Sequence, residues 1–351
     1  INGAYLKVNA QGGESEGGGC SSFISSYCSN NYTDTIAGLL IDSIMTGISY
    51  GVSNTNLKDV LYQKDVQKCS TYTAGDVCQD GLPSLNFFVF YPKTYNGNSI
   101  GCKIPAVIIF HGGSYFECSL ASHEETRDIC RQLAKRGFVV FNVEYRRGVL
   151  LDNQKAPNQF QKISVQQVLA IYRANQDARG AIRSIIKMQR NNVYGFGTTF
   201  KIDTTRIFVG GQSAGAVMAM GAAYYERQGQ IDSAFSSGGI NLSNSLGPLD
   251  ASWYYGDASI DYKPMVIAVL SMWGGLPVHR SFYGDAANYF RQNTKNPPLI
   301  GFVGFYDSTF PPGKNYFYFS TRTTSGGVNY KTETLCLLNS SFANPDDVLN
   351  P

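Results

Sequence analysis

From about residue 57 onward the chain alternates short, continuous apolar runs with longer segments of helical period. Residues 106–110 read AVIIF and 138–143 read FVVFNV, as expected of strands covered on both faces. Runs at 206–210, 265–270 and 299–304 repeat the pattern. Helical spacing appears in 124–136, which stops at Gly137, and in 214–225. It is also clear in 166–188, where Ile171, Ala174, Ala178, Ile182 and Ile185 share one face. This alternation predicts an α/β fold: a mainly parallel sheet with helices on both faces. Residues 60–62 and 85–92 precede it and read as two strands of an antiparallel N-terminal edge hairpin, with Cys69 and Cys78 in the connection.

Two stretches lack that order. Residues 1–55 are Gly/Ser-rich with one apolar segment, 35–48, that reads as helical; they are expected to form an extension to a main domain over 56–351. Residues 229–262 are rich in Ser, Gly and Tyr and read as irregular. They are either a lid or substrate-binding insertion, or a plain solvated loop.

Composition narrows the setting. Lys+Arg total 29 against Asp+Glu 26, a net charge of +3, which gives no footprint for nucleic acid or an anionic membrane. No apolar run reaches the roughly 18 residues of a transmembrane segment. The chain opens at Ile1-Asn2-Gly3 with neither Met nor leader, as in a mature form after signal-peptide removal. Asn31, Asn241 and Asn339 each stand in an N-glycosylation pattern. Eight cysteines lie among Gly, Ser, Asn and Thr, close in sequence as Cys20 and Cys28, Cys69 and Cys78, and Cys118 and Cys130. Cys102 and Cys336 are left over. An even count in a weakly charged chain reads as disulfides in an oxidising compartment, with reduced core thiols as the alternative and metal ligation disfavoured by the lack of a Cys/His cluster. A secreted or cell-surface protein is the expectation.

The chemistry lies where two apolar runs end. Residues 206–210 lead into Gly211-Gln212-Ser213-Ala214-Gly215, a Gly-x-Ser-x-Gly turn entered from a strand and left into a helix. Such a turn lifts a serine hydroxyl onto a sharp bend, and the Ala214 N–H that follows faces the developing oxyanion. Residues 106–110 lead into His111-Gly112-Gly113, where the glycines let backbone N–H groups approach the same point. The alternative is a tight structural turn. Asp307 follows a predicted strand in Gly304-Phe305-Tyr306-Asp307, placed to orient a base or merely to cap a turn. Asp177 and Asp203 are assigned to structure.

Together these pieces resemble the α/β-hydrolase superfamily, in its carboxylesterase and hormone-sensitive-lipase-like branch. The resemblance runs through His111-Gly112-Gly113, Asn142-Val143-Glu144-Tyr145-Arg146 and Gln176-Asp177-Ala178-Arg179-Gly180-Ala181. It continues through Asp203-Thr204-Thr205-Arg206-Ile207, Gly211–Gly215 and Pro297-Pro298-Leu299-Ile300 leading to Asp307, in the family's order over about 57–312. It implies Ser213 as nucleophile, Asp307 as acid, and Gly112, Gly113 and Ala214 as oxyanion donors. It calls for no metal or organic cofactor.

The family's order is serine, acid, histidine, and no histidine follows Asp307. His111 belongs to the oxyanion segment, and His123 opens the next helix. His279 follows the strand that ends near Trp273, which makes it the alternative base. The last residues, 344–351, carry no closing helix of the kind that packs the fold's last strand. That favours a base beyond Pro351, with loss of the histidine as the other outcome.

Two functions remain. One is a secreted serine hydrolase cleaving carboxylic esters, its substrate a small molecule or a polymer, with peptidase or polyester depolymerase as near variants. The other is a catalytically inactive hydrolase-fold protein serving as an exported surface or assembly component, whose partner would be another surface protein.

Overall fold

The apolar runs become the centre of one sheet. A computed structural model of the chain describes residues 39–49, 85–95, 97–115, 124–146, 159–193, 195–225, 228–229, 242–250, 258–279, 296–302, 316–324 and 327–335. Among these the strands are β1 (Leu39–Ser49), β2 (Asn86–Tyr95), β3 (Asn98–Ser99), β4 (Ile104–Phe110), β5 (Val139–Val143), β6 (Ile202–Gln212), β7 (Val266–Met272), β8 (Leu276–His279), β9 (Leu299–Phe302), β10 (Tyr316–Thr324) and β11 (Gly327–Leu335). Helices are α1 (Glu124–Ala134), α2 (Gln159–Asn191), α3 (Ala214–Tyr224) and the short α4 (Leu242–Leu246). The main sheet runs β1-β2-β5-β4-β6-β7-β9, with β3 beside β2; β8, β10 and β11 form a second, three-stranded sheet. Strands β5, β4, β6, β7 and β9 are mutually parallel. Strands β1, β3 and β5 each pair antiparallel with β2, making the N-terminal end an antiparallel edge.

The pleat sorts the apolar residues onto two faces. Ala106, Ile108 and Phe110 of β4 join Val139, Phe141 and Val143 of β5 in a large core with α2 and α3. Their neighbours Val107, Ile109 and Val140 point the other way, into a smaller cluster with Cys130 and Ala134 of α1. A strand buried on both faces has no polar positions to alternate, which is why 106–110 reads as an unbroken run. Helix α3 is buried along its whole length, and its sequence of Ala, Gly, Met and Val is apolar all round for that reason.

Several expectations need correction. The segment 35–48 is not helical: Leu39–Ser49 is strand β1, and it, rather than 60–62, partners β2. Its Ile and Leu residues follow no clean two-residue alternation, and two register shifts in the pairing explain why. Residues 60–62 lie outside the described residues. Helix α2 begins at Gln159, ahead of the predicted 166. The described part of 229–262 is no solvated loop at 242–250, since Leu242, Leu246 and Leu249 are buried.

That last segment is bound to α2 by charge. Asp250 accepts from Arg179 Nε at 2.8 Å and also pairs with Arg183, and both arginines are about 1% exposed. Gln176 Nε2 donates to the carbonyls of Leu246 and Pro248 at 3.0 and 2.9 Å. Burial pushes the Asp250 carboxyl up, but the charges and hydrogen bonds of Arg179 and Arg183 outweigh it and bring the group down to about 2. A carboxylate depressed in the folded state contributes stability above its unfolded value, near 4, and loses it as pH falls through the folded value. Asp250→Asn is therefore expected to lower stability at neutral pH and to flatten the stability profile between about pH 4 and 2, read by denaturant titration across that range.

The cysteine pattern is partly corrected too. Cys130 is a free thiol, fully buried, so Cys118 and Cys130 do not pair. Burial pushes its thiol well up, which leaves it unreactive. Cys102, just ahead of β4, is disulfide-bonded. Among the described residues no helix is long and apolar enough to cross a membrane.

Candidate active site

Strand β4 lies between β5 and β6, so the chain leaves β4 toward one side of the sheet and later returns on the other. Adjacent parallel strands whose following segments diverge leave a crevice at their carboxyl ends. Here the two segments are His111–Tyr115 after β4 and Ser213 after β6, aligned by the pairing of Phe110 with Gly211. The two motifs separated by a hundred residues therefore share one end of the sheet.

Ser213 sits on a bend with φ 50° and ψ −116°, between β6 and α3. A non-glycine residue at positive φ is strained, and such strain persists only where the surroundings over-determine it. They do so here. The Ser213 N–H donates to Met272 O at 2.9 Å, and the Ser213 carbonyl accepts from Val217 N at 3.1 Å. The flanking glycines are steric requirements. A Cβ on Gly215 would stand 2.1 Å from Phe110 O and 2.6 Å from His111 O. One on Gly211 would stand 2.3 Å from the Gly215 carbonyl carbon. The helix start is thus pressed against the exit of β4, and Ser213 itself stays half-buried. Ala214 opens α3, where helix geometry leaves its N–H without a carbonyl in the preceding turn.

The facing loop is strained as well. Gly113, Ser114 and Tyr115 take φ of 116°, 52° and 68° in succession. Tyr115 is held there by its hydroxyl, which donates to Ala214 O at 3.1 Å and so ties the loop to the nucleophile bend. Burial pushes the Tyr115 phenol well above its ordinary range, keeping it a proton donor. His111 is fully buried; its Nδ1 lies 2.7 Å from Gly112 O and its Nε2 2.9 Å from Glu144 Oε1. Both ring nitrogens thus lie against oxygens of the loop and of the segment after β5. His111 braces its loop.

The segment after β5 supplies the other side of that brace. Glu144 meets His111, and the Tyr145 ring stacks on the His111 ring at 4.4 Å. Arg146 turns the opposite way, into α2, where its backbone N–H and Nε donate to Asp177 at 2.7 and 2.9 Å. Both members of that pair are buried. The tripeptide thus links the long helix to the loop after β4. Asp203 lies at the start of β6, where it accepts from Thr205 N–H at 2.9 Å and Arg206 Nε at 2.6 Å.

A third wall comes from the turn after β7. Trp273 takes φ 44°, an outlier for so large a residue, and donates its N–H to Phe302 O at 2.6 Å. Gly274 follows, and a Cβ there would stand 2.2 Å from Ala216 Cβ. Trp273 is 37% exposed and Phe302 57%, two large aromatic residues left open beside the Ser213 bend.

Of the residues read from sequence, Ser213, Gly112, Gly113 and Ala214 come together at this end of the sheet. Asp307 and His123 lie outside the described residues. His279 ends β8, opposite Phe319 of β10; its side chain is likewise not described. Sequence reasoning missed Tyr115, Tyr145 and Trp273. Tyr145 stood inside a quoted motif, and Tyr115 two residues past the glycine pair. Nothing in the sequence marks their hydroxyls as bonded to the site's backbone.

The segment 107–236, from within β4 past the end of α3, matches the α/β hydrolase fold family. The fold is that of an α/β hydrolase. Among solved structures, esterase 2 of Thermogutta terrifontis is similar at a distance. Its cyclosarin-phosphonylated form shows 17% identity and a TM-score of 0.38, covering 69% of this chain and 74% of that one. Its propionate-bound form shows 16% identity and a TM-score of 0.40, covering 68% and 74%. The tabun-treated form shows 15% identity and a TM-score of 0.39, covering 80% and 77%. No curated protein matches the sequence. The strand order and the matched segment define that fold.

Proposed function

We propose that this α/β hydrolase is a secreted serine hydrolase that cleaves carboxylic esters through an acyl-enzyme on Ser213. The observation that carries the reading is the strained Ser213 bend, half-buried at the switch point of the sheet and locked by glycines that admit no side chain. A hydroxyl held there, facing a loop of glycine N–H groups, is equipped for acyl transfer. Secretion is supported by the Cys102 disulfide.

In this mechanism Ser213 Oγ attacks the ester carbonyl and gives its proton to an imidazole oriented by Asp307. The N–H groups of Gly112, Gly113 and Ala214 take the negative charge on the carbonyl oxygen. Collapse expels the alcohol, which receives the proton. Water then attacks the acyl-enzyme with the same base, releasing the carboxylic acid and restoring Ser213. His111, bound to Gly112 and Glu144, serves to brace the oxyanion loop. Among the histidines of this chain His279 is the candidate base.

Trp273 and Phe302 favour an apolar or aromatic group on the ester. Trp273→Ala is expected to raise KM for aryl esters about tenfold while changing kcat much less, since an aromatic contact is worth about 1 kcal/mol beyond its area. Steady-state kinetics on p-nitrophenyl esters of graded acyl length would show it. An unchanged KM across the series would remove this substrate assignment.

A further inference from the structure

The loop after β4 can serve as an oxyanion hole only if two successive peptide N–H groups point the same way. Consecutive peptides in an extended chain point in opposite directions, so something must turn one of them. One atom is placed to do so. The Tyr145 hydroxyl lies 3.1 Å from His111 O and 3.1 Å from Gly112 O, meeting two consecutive carbonyls at once. Tyr145 is fully buried beneath the loop, and its ring is held against the His111 imidazole. In a trans peptide the C=O and the following N–H are antiparallel across the bond. Drawing both carbonyls down onto one buried hydroxyl turns the N–H groups of Gly112 and Gly113 up, away from Tyr145. His111 Nδ1, 2.7 Å from Gly112 O, fixes the second peptide from another side.

We infer that Tyr145 is the positioning residue of the oxyanion hole, the group that aligns the Gly112 and Gly113 N–H donors on the substrate carbonyl. It touches no substrate and acts through the loop backbone. The inference rests on the esterase reading for its catalytic consequence, but its structural part stands alone.

Tyr145→Phe tests it, removing one oxygen while leaving the ring stack with His111. The control is Tyr262→Phe: the Tyr262 hydroxyl is also buried and donates to a backbone carbonyl, Ala222 O at 2.7 Å, far along α3 from the loop. Tyr145→Phe is expected to lower kcat by roughly 10- to 100-fold, within the range for a damaged oxyanion hole, with KM within about twofold. Affinity for a trifluoromethyl ketone, whose adduct carries the oxyanion, is expected to fall by the same factor. Tyr262→Phe is expected to lose similar thermal stability while keeping both values. Independently of turnover, amide exchange at Gly112 and Gly113 is expected to quicken in Tyr145→Phe and not in Tyr262→Phe. If Ser213-dependent turnover exists and Tyr145→Phe keeps wild-type kcat and ketone affinity, the inference is overturned. If the wild-type protein shows no Ser213-dependent turnover, the esterase reading falls, and the exchange comparison alone decides whether Tyr145 sets the loop.

Discussion

Ser213→Ala is expected to abolish ester hydrolysis, lowering kcat by roughly 10⁵- to 10⁶-fold, while leaving the fold intact. The size follows from the chemistry: without Oγ there is no covalent intermediate, and the residual rate is whatever the N–H donors give to direct attack by water. The fold should survive because the bend is held by backbone bonds, Ser213 N to Met272 O and Val217 N to Ser213 O, and the side chain makes no cap bond with the helix. Alanine at positive φ suffers the same strain as serine. The check is kinetics on a p-nitrophenyl ester together with circular dichroism. Turnover unchanged by the substitution would place the chemistry elsewhere.

Gly215→Ala is expected to disrupt both the fold and the site. Its Cβ would lie 2.1 Å from Phe110 O and 2.5 Å from the Phe110 carbonyl carbon, both backbone atoms of a central strand. Flexible side chains can swing aside, but a strand buried on both faces cannot. Overpacking in cores costs about 1–3 kcal/mol when side chains absorb it, so a clash with backbone should cost at least the upper end of that range. Relief comes only by sliding α3 away from β4, which separates Ser213 from the Gly112–Gly113 loop and should cost a further hundredfold or so in turnover. Gly301→Ala is the control, since nothing lies within 4 Å of a Cβ there, and its stability should change by less than about 0.5 kcal/mol. Urea titration of the two variants separates these outcomes.

The centre of this fold was legible because its strands are buried twice over. Residues 106–110 and 138–143 are buried on both faces, so 106–110 shows an unbroken apolar run and 138–143 one interrupted only by the buried Asn142. The Gly-x-Ser-x-Gly bend was legible for a steric reason: the close approach of Gly215 to Phe110 leaves no room for any other residue. The edge was not. Among the described residues strand β1 pairs on one side only and with two register shifts, and its Leu and Ile residues fit a helical period as well as a strand. The segment at 242–250 looked like loop because it is tied down by Gln176, Arg179 and Arg183 rather than by apolar periodicity. A buried arginine on an amphipathic helix reads as a solvent-facing one until its partner is seen.

The site divides along the same line. Residues whose role is backbone shape, Gly112, Gly113, Gly211 and Gly215, were recoverable because glycine carries that information in its identity. Tyr115 and Tyr145 act by bonding to carbonyls far away in sequence, Ala214 and His111 among them, and a tyrosine in an apolar context reads simply as core. The His111 ring was assigned to the oxyanion loop from its place in the motif. The contacts with Gly112 O and Glu144 give that assignment its physical content.

Covalent labelling reads out directly whether Ser213 is an activated nucleophile. The protein is treated with a fluorophosphonate, digested, and mapped by mass spectrometry. A single adduct is expected, on the peptide containing Ser213, formed much faster than on any other serine and absent from Ser213→Ala. A protein that stays unlabelled, or that carries the adduct on a different residue, would contradict it.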